Sequence, residues 1–150
     1  MSSASAPAVA TPASRSVAAI DAEIDTAVAL DDPARATRWL LDLAEEVLER
    51  WIVAHGEVPT REERETFRLL ALHHQGTRGN PSFNACRETC REIAYHYNLL
   101  RSEPGDARRA QRQAMMGMLV RHLALFVFGK IEVDKLGEFC CASRPLRQES

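Results

Sequence analysis

Apolar side chains recur at intervals of three and four through most of this chain. Leu40, Leu43, Val47, Trp51 and Ala54 are spaced this way, so they line one face of a helix that turns every ~3.6 residues. Trp39, Leu41, Leu48 and Ile52 widen the face, which predicts a central helix over 33–55. Asp31 or Asp32 caps it, Pro33 occupies a first position where a missing N–H costs nothing, and Gly56 stops it. A second stripe, Phe83, Cys86, Cys90, Ile93, Tyr97 and Leu100, predicts a helix over 83–101 with Ser82 as its cap. Between them, Thr60 and Glu63 have the spacing of a capping box, which predicts a helix over 61–75 closed by Gly76. Gly79, Asn80 and Pro81 then make a turn. A shorter helix is expected over 19–30, and a last one over 107–128, closed by Gly129.

No segment alternates apolar and polar residues between turn signals, so no strand is expected. The fold class is all-α: an antiparallel helical bundle of four long helices plus one or two short ones. Residues 1–17, rich in Ala, Ser and Pro, bury too little apolar surface to offset their ordering entropy and are expected to be a disordered tail. The bundle spans 18–129, and 130–150 is expected to be a C-terminal extension, partly helical or frayed.

At 150 residues, 45% hydrophobic and 27% charged, the chain has the composition of one globular domain. A net charge of −2 removes the basic excess that phosphate contacts demand of a nucleic-acid binder. The arginine excess over lysine fits a GC-rich bacterial coding sequence, so single arginines carry little weight. The first residues lack an apolar core and a basic start, so they do not read as a secretory signal, and a reducing cytoplasm is the expected location. The most apolar run, 114–128, is shorter than the roughly 18 residues a membrane span needs and contains Arg121 and His122. It reads as a buried core helix.

Chemically capable side chains concentrate between His73 and Arg101, around the one Gly/Asn/Pro-rich internal loop. Cys86 and Cys90, one turn apart, suit two thiolate ligands of a soft divalent metal or a redox pair. An antiparallel hairpin would bring His73 or His74 nearer to Cys86 than to Cys90. Completing four ligands would then take Cys140 or Cys141 from the C-terminal segment. The plain reading is that both cysteines are small core residues. Glu88, Glu92 and His96, spaced by four, form a column suited to proton relay, and a small enzyme acting through Glu92 and His96 is the outlying reading. Interleaved Arg87 and Arg91 favour a solvated, ion-paired face instead. His122, among Met115, Met118, Leu119, Leu125 and Phe126, has the setting of an axial ligand to a haem-like tetrapyrrole, or of a core-edge histidine. Arg108, Arg109 and Arg112 crowd a helix N-terminus whose dipole disfavours cations, which points to an acidic partner or anionic ligand.

No nucleophile motif, Gly-rich phosphate loop or HExxH helix is present in the sequence. The expectation is therefore a non-catalytic accessory, assembly or regulatory protein that binds a larger partner enzyme. The partner surface is placed at Arg78, Asn80, Arg87, Arg91, Arg108, Arg109 and Arg112. The alternative is a metal- or tetrapyrrole-binding module using Cys86 and Cys90 with His73 and His74, or His122. Oligomeric state is left open.

Overall fold

The computed structural model describes residues 15–134, and these fold into five α-helices and one 3-10 turn with no strand among them. Outside the described residues lie most of the expected tail and most of the expected extension, Cys140 and Cys141 included.

Helix α1 (Val17–Val28) is capped by Ser16, whose Oγ accepts from Ala19 N at 3.1 Å. Helix α2 (Pro33–Ala54) begins where the sequence places it, with Asp32 Oδ1 accepting from Ala34 N and Arg35 N at 3.1 and 3.3 Å. Helix α3 (Arg68–Thr77) leads through the 3-10 turn Pro81–Cys86 into α4 (Arg87–Ser102), and α5 (Arg109–Asp134) closes the described chain.

Three boundaries differ from expectation by more than two residues. The helix expected from 83 under a Ser82 cap begins at Arg87, with Cys86 at the cap position, because residues 81–86 wind as a 3-10 turn first. The helix expected over 61–75 is only ten residues long, because Thr60 and Glu63 do not form a capping box. Thr60 Oγ1 accepts from Glu62 N, while Thr60 N donates to the Gln75 side chain at 2.8 Å. Arg68 donates to Thr60 O at 2.8 Å and to Glu49 at 2.6 Å, which ties the approach to α3 against α2. Gly129 does not close α5. A glycine inside a helix costs only about 1 kcal/mol, and Phe128 and Ile131 on either side pack against the core and draw the helix onward.

The core lies between the α2 face of Leu40, Leu43, Val47, Leu48 and Trp51 and inward residues of the other helices. On α5 those are Met116, Val120, Leu123 and Val127, a single stripe. The run expected to be a buried core helix is thus buried on one side only, since Met115, Met118 and Leu125 are exposed. By length and composition alone α5 is also long and apolar enough to cross a membrane, a property that the shorter 114–128 run lacked. Here its inward side packs on α1, α2 and α4.

Side-chain pairing sets the helix directions. Arg121 of α5 binds Asp21 and Asp25 of α1 at 2.6 and 2.7 Å, while Gln113, two turns earlier, meets the far end of α1. Trp39 and Glu46 of α2 likewise pair with Glu23 and Arg15 respectively. Helix α1 therefore runs opposite to both α2 and α5, which run in the same sense. A Cβ on Gly117 would collide with Val28 Cγ2, so glycine is what permits this close approach.

Candidate functional site: a groove along α4 and a thiol pair beneath it

Trp51 organises the chemically dense segment. Its indole stacks on Phe83, with centroids 4.4 Å apart and planes 8° from parallel, and its Nε1 donates to Gly76 O at 3.0 Å. A Cβ on Gly76 would meet Phe83 at 2.8 Å and Trp51 at 3.0 Å, and neither ring can move in the core. Glycine at 76 thus lets the end of α3 close onto the start of α4. The closure brings His73, 6% exposed, onto Phe83 with ring centroids 5.7 Å apart.

Behind His73 lie the two thiols, 3% and 0% exposed, at the start and first turn of α4. The expected buried stripe is observed, with Tyr97 at its edge. Cys86 Sγ donates to Phe83 O at 3.3 Å. A hydrogen bond from the Cys90 thiol pulls the Cys86 pKa down to about 6 against the opposing effect of burial, and His73 lowers it further. Cys90 is pushed up by giving that hydrogen bond and by its own burial. His73 Nε2 is buried with no hydrogen-bond partner among the described residues.

Folded Cys86 releases its proton below the ordinary thiol range near ~8.5. Its contribution to stability therefore appears as pH rises through about 6 and levels off where the unfolded thiol ionises. The raised Cys90 works against stability only above that range. Urea unfolding at a series of pH values should show wild type gaining on Cys86→Ala between pH ~6 and ~8.5. A constant gap, or one that narrows with rising pH, would contradict this pairing.

Cys140 and Cys141, which would complete the expected metal set, lie outside the described residues. Among the described residues, no three His, Cys, Asp or Glu side chains converge to hold an ion. His74 is exposed and lines a cleft on the surface instead of joining the thiols. His122 is also exposed, on the outer side of α5 with Met118 and Leu125, because its position falls opposite the buried stripe. It therefore does not face an apolar groove of the kind a tetrapyrrole ligand needs.

That cleft, of 130 Å³, is the first section of a longer groove. Arg64, Arg87, Arg91, His73 and His74 line it, together with Glu65. A second depression of 380 Å³ shares Glu65, Leu70 and Arg91 with it and adds Glu88, Glu92 and Tyr95. A third shares Tyr95 and Asn98 with the second and ends at Leu99, Arg101 and Ser102. The groove thus follows α4 from a cationic start, past an acidic middle, to an aromatic and apolar end. Glu88 and Glu92 are exposed along it, and His96 Nδ1 lies 3.0 Å from Glu92 O. The column reads as the solvated face.

The arginines expected to form one partner surface separate into groups. Arg87 and Arg91 lie in the groove, whereas Arg78 and Asn80 border a narrow crevice beside Trp51 and His55. Arg108, Arg109 and Arg112 sit beyond the opposite end of α4, and local partners occupy them. Arg112 pairs with Glu103 at 2.9 Å and Asp106 at 3.8 Å, Arg108 pairs with Asp106 at 3.3 Å, and Arg109 donates to Gln113 at 3.0 Å. Asp106 Oδ1 accepts from Arg108 N at 2.7 Å, which holds its carboxyl below the usual range and supplies the negative charge the α5 N-terminus favours. The apparent misfit of cations at that helix start is thereby removed.

Sequence reasoning did not find Arg64 and Glu65. They belong to a tight turn closed by Arg64 N to Phe67 O at 3.0 Å and Phe67 N to Arg64 O at 2.9 Å. Its central residues, Glu65 and Thr66, have φ of 53° and 69°, a conformation normally left to Gly or Asn. No family model, no curated protein and no solved structure matches the chain.

Proposed function

We propose that this chain is a non-catalytic accessory, assembly or regulatory protein that holds a segment of a larger partner enzyme in the α4 groove. The observation that carries the reading is the continuity of three depressions along one exposed helix face, with arginine at one end and Tyr95 and Leu99 at the other. Such polarity suits a segment that presents carboxylates to Arg64, Arg87 and Arg91 and apolar side chains to Tyr95 and Leu99. Tyr95 is 60% exposed, a large amphipathic ring of the kind that anchors interfaces. Within this reading the protein works in the cytoplasm.

The test is a photo-crosslinking residue placed at Tyr95, with one at exposed Arg35 on α2 as control. A discrete conjugate is expected from position 95 only. With the captured protein purified, Arg91→Glu should raise the dissociation constant about tenfold or more by setting like charges against each other. Equal labelling at both positions, or unchanged affinity in Arg91→Glu, would overturn the placement.

A further inference from the structure

We infer that the cationic end of the groove is a binding site for one phosphate-type oxyanion, either free phosphate or the phosphoryl group of a small molecule. Three guanidinium groups and two imidazoles from three separate segments converge on one cleft of 130 Å³, opposed by a single carboxylate, that of Glu65. The three guanidinium groups set three positive charges in the wall against that one negative charge. The cleft has room for one tetrahedral anion beside these side chains.

The segments differ in how they hold their cations. Arg64 is set by the tight turn, and Arg87 and Arg91 project from successive turns of α4 at i and i+4, which places both on one side of the helix. His73 and His74 come from the last turns of α3. Most of the cationic charge is not committed elsewhere. Arg87 has only its exposed neighbour Glu88 at 3.8 Å, Arg91 has only Glu65 at 3.3 Å, and Arg64 has no ion pair among the described residues. This contrasts with Arg108 and Arg112, which local carboxylates neutralise. His73 is only 6% exposed and its unpartnered Nε2 is itself buried, so at this cleft the ring supplies wall, and the accessible donors are the guanidinium groups. Guanidinium groups match phosphate oxygens with paired N–H donors, which is why phosphate, rather than a monovalent halide, is the assigned class.

Inorganic phosphate is the first probe, by calorimetric titration of the full chain at fixed ionic strength. Saturable binding is expected. Arg64→Gln and Arg87→Gln should each weaken it about tenfold, the loss of a charge-assisted hydrogen bond. Glu65→Gln should tighten it, because that substitution removes the one opposing charge. All three positions are exposed, so helicity by circular dichroism should be unchanged. Glycerol phosphate, a monoester, separates the sources: tighter binding than phosphate assigns a phosphorylated small molecule, and weaker binding assigns free phosphate. Absence of saturation, an equal response to chloride, or undiminished binding in Arg87→Gln would overturn the site. None of these readouts involves a partner protein, so failure here leaves the partner reading intact, while success means that the anion and the partner's carboxylates compete for Arg64, Arg87 and Arg91.

Discussion

Replacing Trp51 with alanine should cost about 3–5 kcal/mol, the range for deleting a buried aromatic ring. Trp51 is 1% exposed and stacks on Phe83, so its removal leaves a cavity that two helices and a turn must collapse to fill. The change also deprives Gly76 O of its donor. Against the roughly 5–15 kcal/mol that holds a small domain together, the variant sits near the edge of folding. Urea unfolding followed by circular dichroism measures the loss. The replacement Trp51→Phe separates its parts: it keeps most of the stack and loses the hydrogen bond, so it should cost about 1–3 kcal/mol. Equal losses in the two variants would mean that the hydrogen bond, not the stack, holds the loop. Because the same ring positions Phe83 under His73, Trp51→Phe should retain phosphate binding, whereas the alanine variant should lose it.

The second large effect is expected at Gln113. This side chain is 1% exposed, and its Nε2 donates to Val28 O and Leu30 O at 2.9 Å and lies 3.4 Å from Ala27 O. It caps the C-terminal end of α1 from 85 residues away, where carbonyls have no partner inside their own helix. Gln113→Glu keeps the shape and replaces the donor with a buried carboxylate facing carbonyl oxygens. The expected cost at neutral pH is about 3 kcal/mol, from stranded acceptors and an unfavourable buried charge. The carboxyl that replaces the amide would have its pKa raised in the folded state, so stability relative to wild type should recover as pH falls, with the protonated acid restoring one donor. A loss that stays constant with pH would show that the site takes in water and solvates the charge.

Much of the scaffold was legible because it follows from local rules. The α2 boundaries come from the Asp32 cap, Pro33 and a dense apolar face, and each acts within a turn or two of the residue concerned. The α4 stripe from Phe83 to Leu100 was readable for the same reason, as was the plain role of Cys86 and Cys90 as buried core residues. The misreadings occurred where a local signal competed with a distant partner. Thr60 and Glu63 have the capping-box pattern, yet the Gln75 side chain takes Thr60 N and Arg68 takes Thr60 O, so the helix starts at Arg68. Gly129 resembles a stop, yet packing around Phe128 and Ile131 outweighs its small helix penalty. The Arg108–Arg112 cluster looked unpaired because the partner carboxylates, Glu103 and Asp106, lie before the helix rather than within it.

The candidate site was harder to read than the fold. Its cations come from the 64–67 turn, α3 and α4, and their convergence depends on the contact of Gly76 with Trp51 and Phe83. By itself the sequence determined the helical class, the central helix, the α4 stripe and the concentration of chemistry between His73 and Arg101, because helical periodicity and caps are short-range properties. Only the tertiary structure decided that His73 is buried while His74 is exposed at the same cleft, that Arg64 and Glu65 join it, and that Met115, Met118, His122 and Leu125 face outward. Those outcomes depend on which faces of different helices meet, and that is set by packing between residues far apart in the chain.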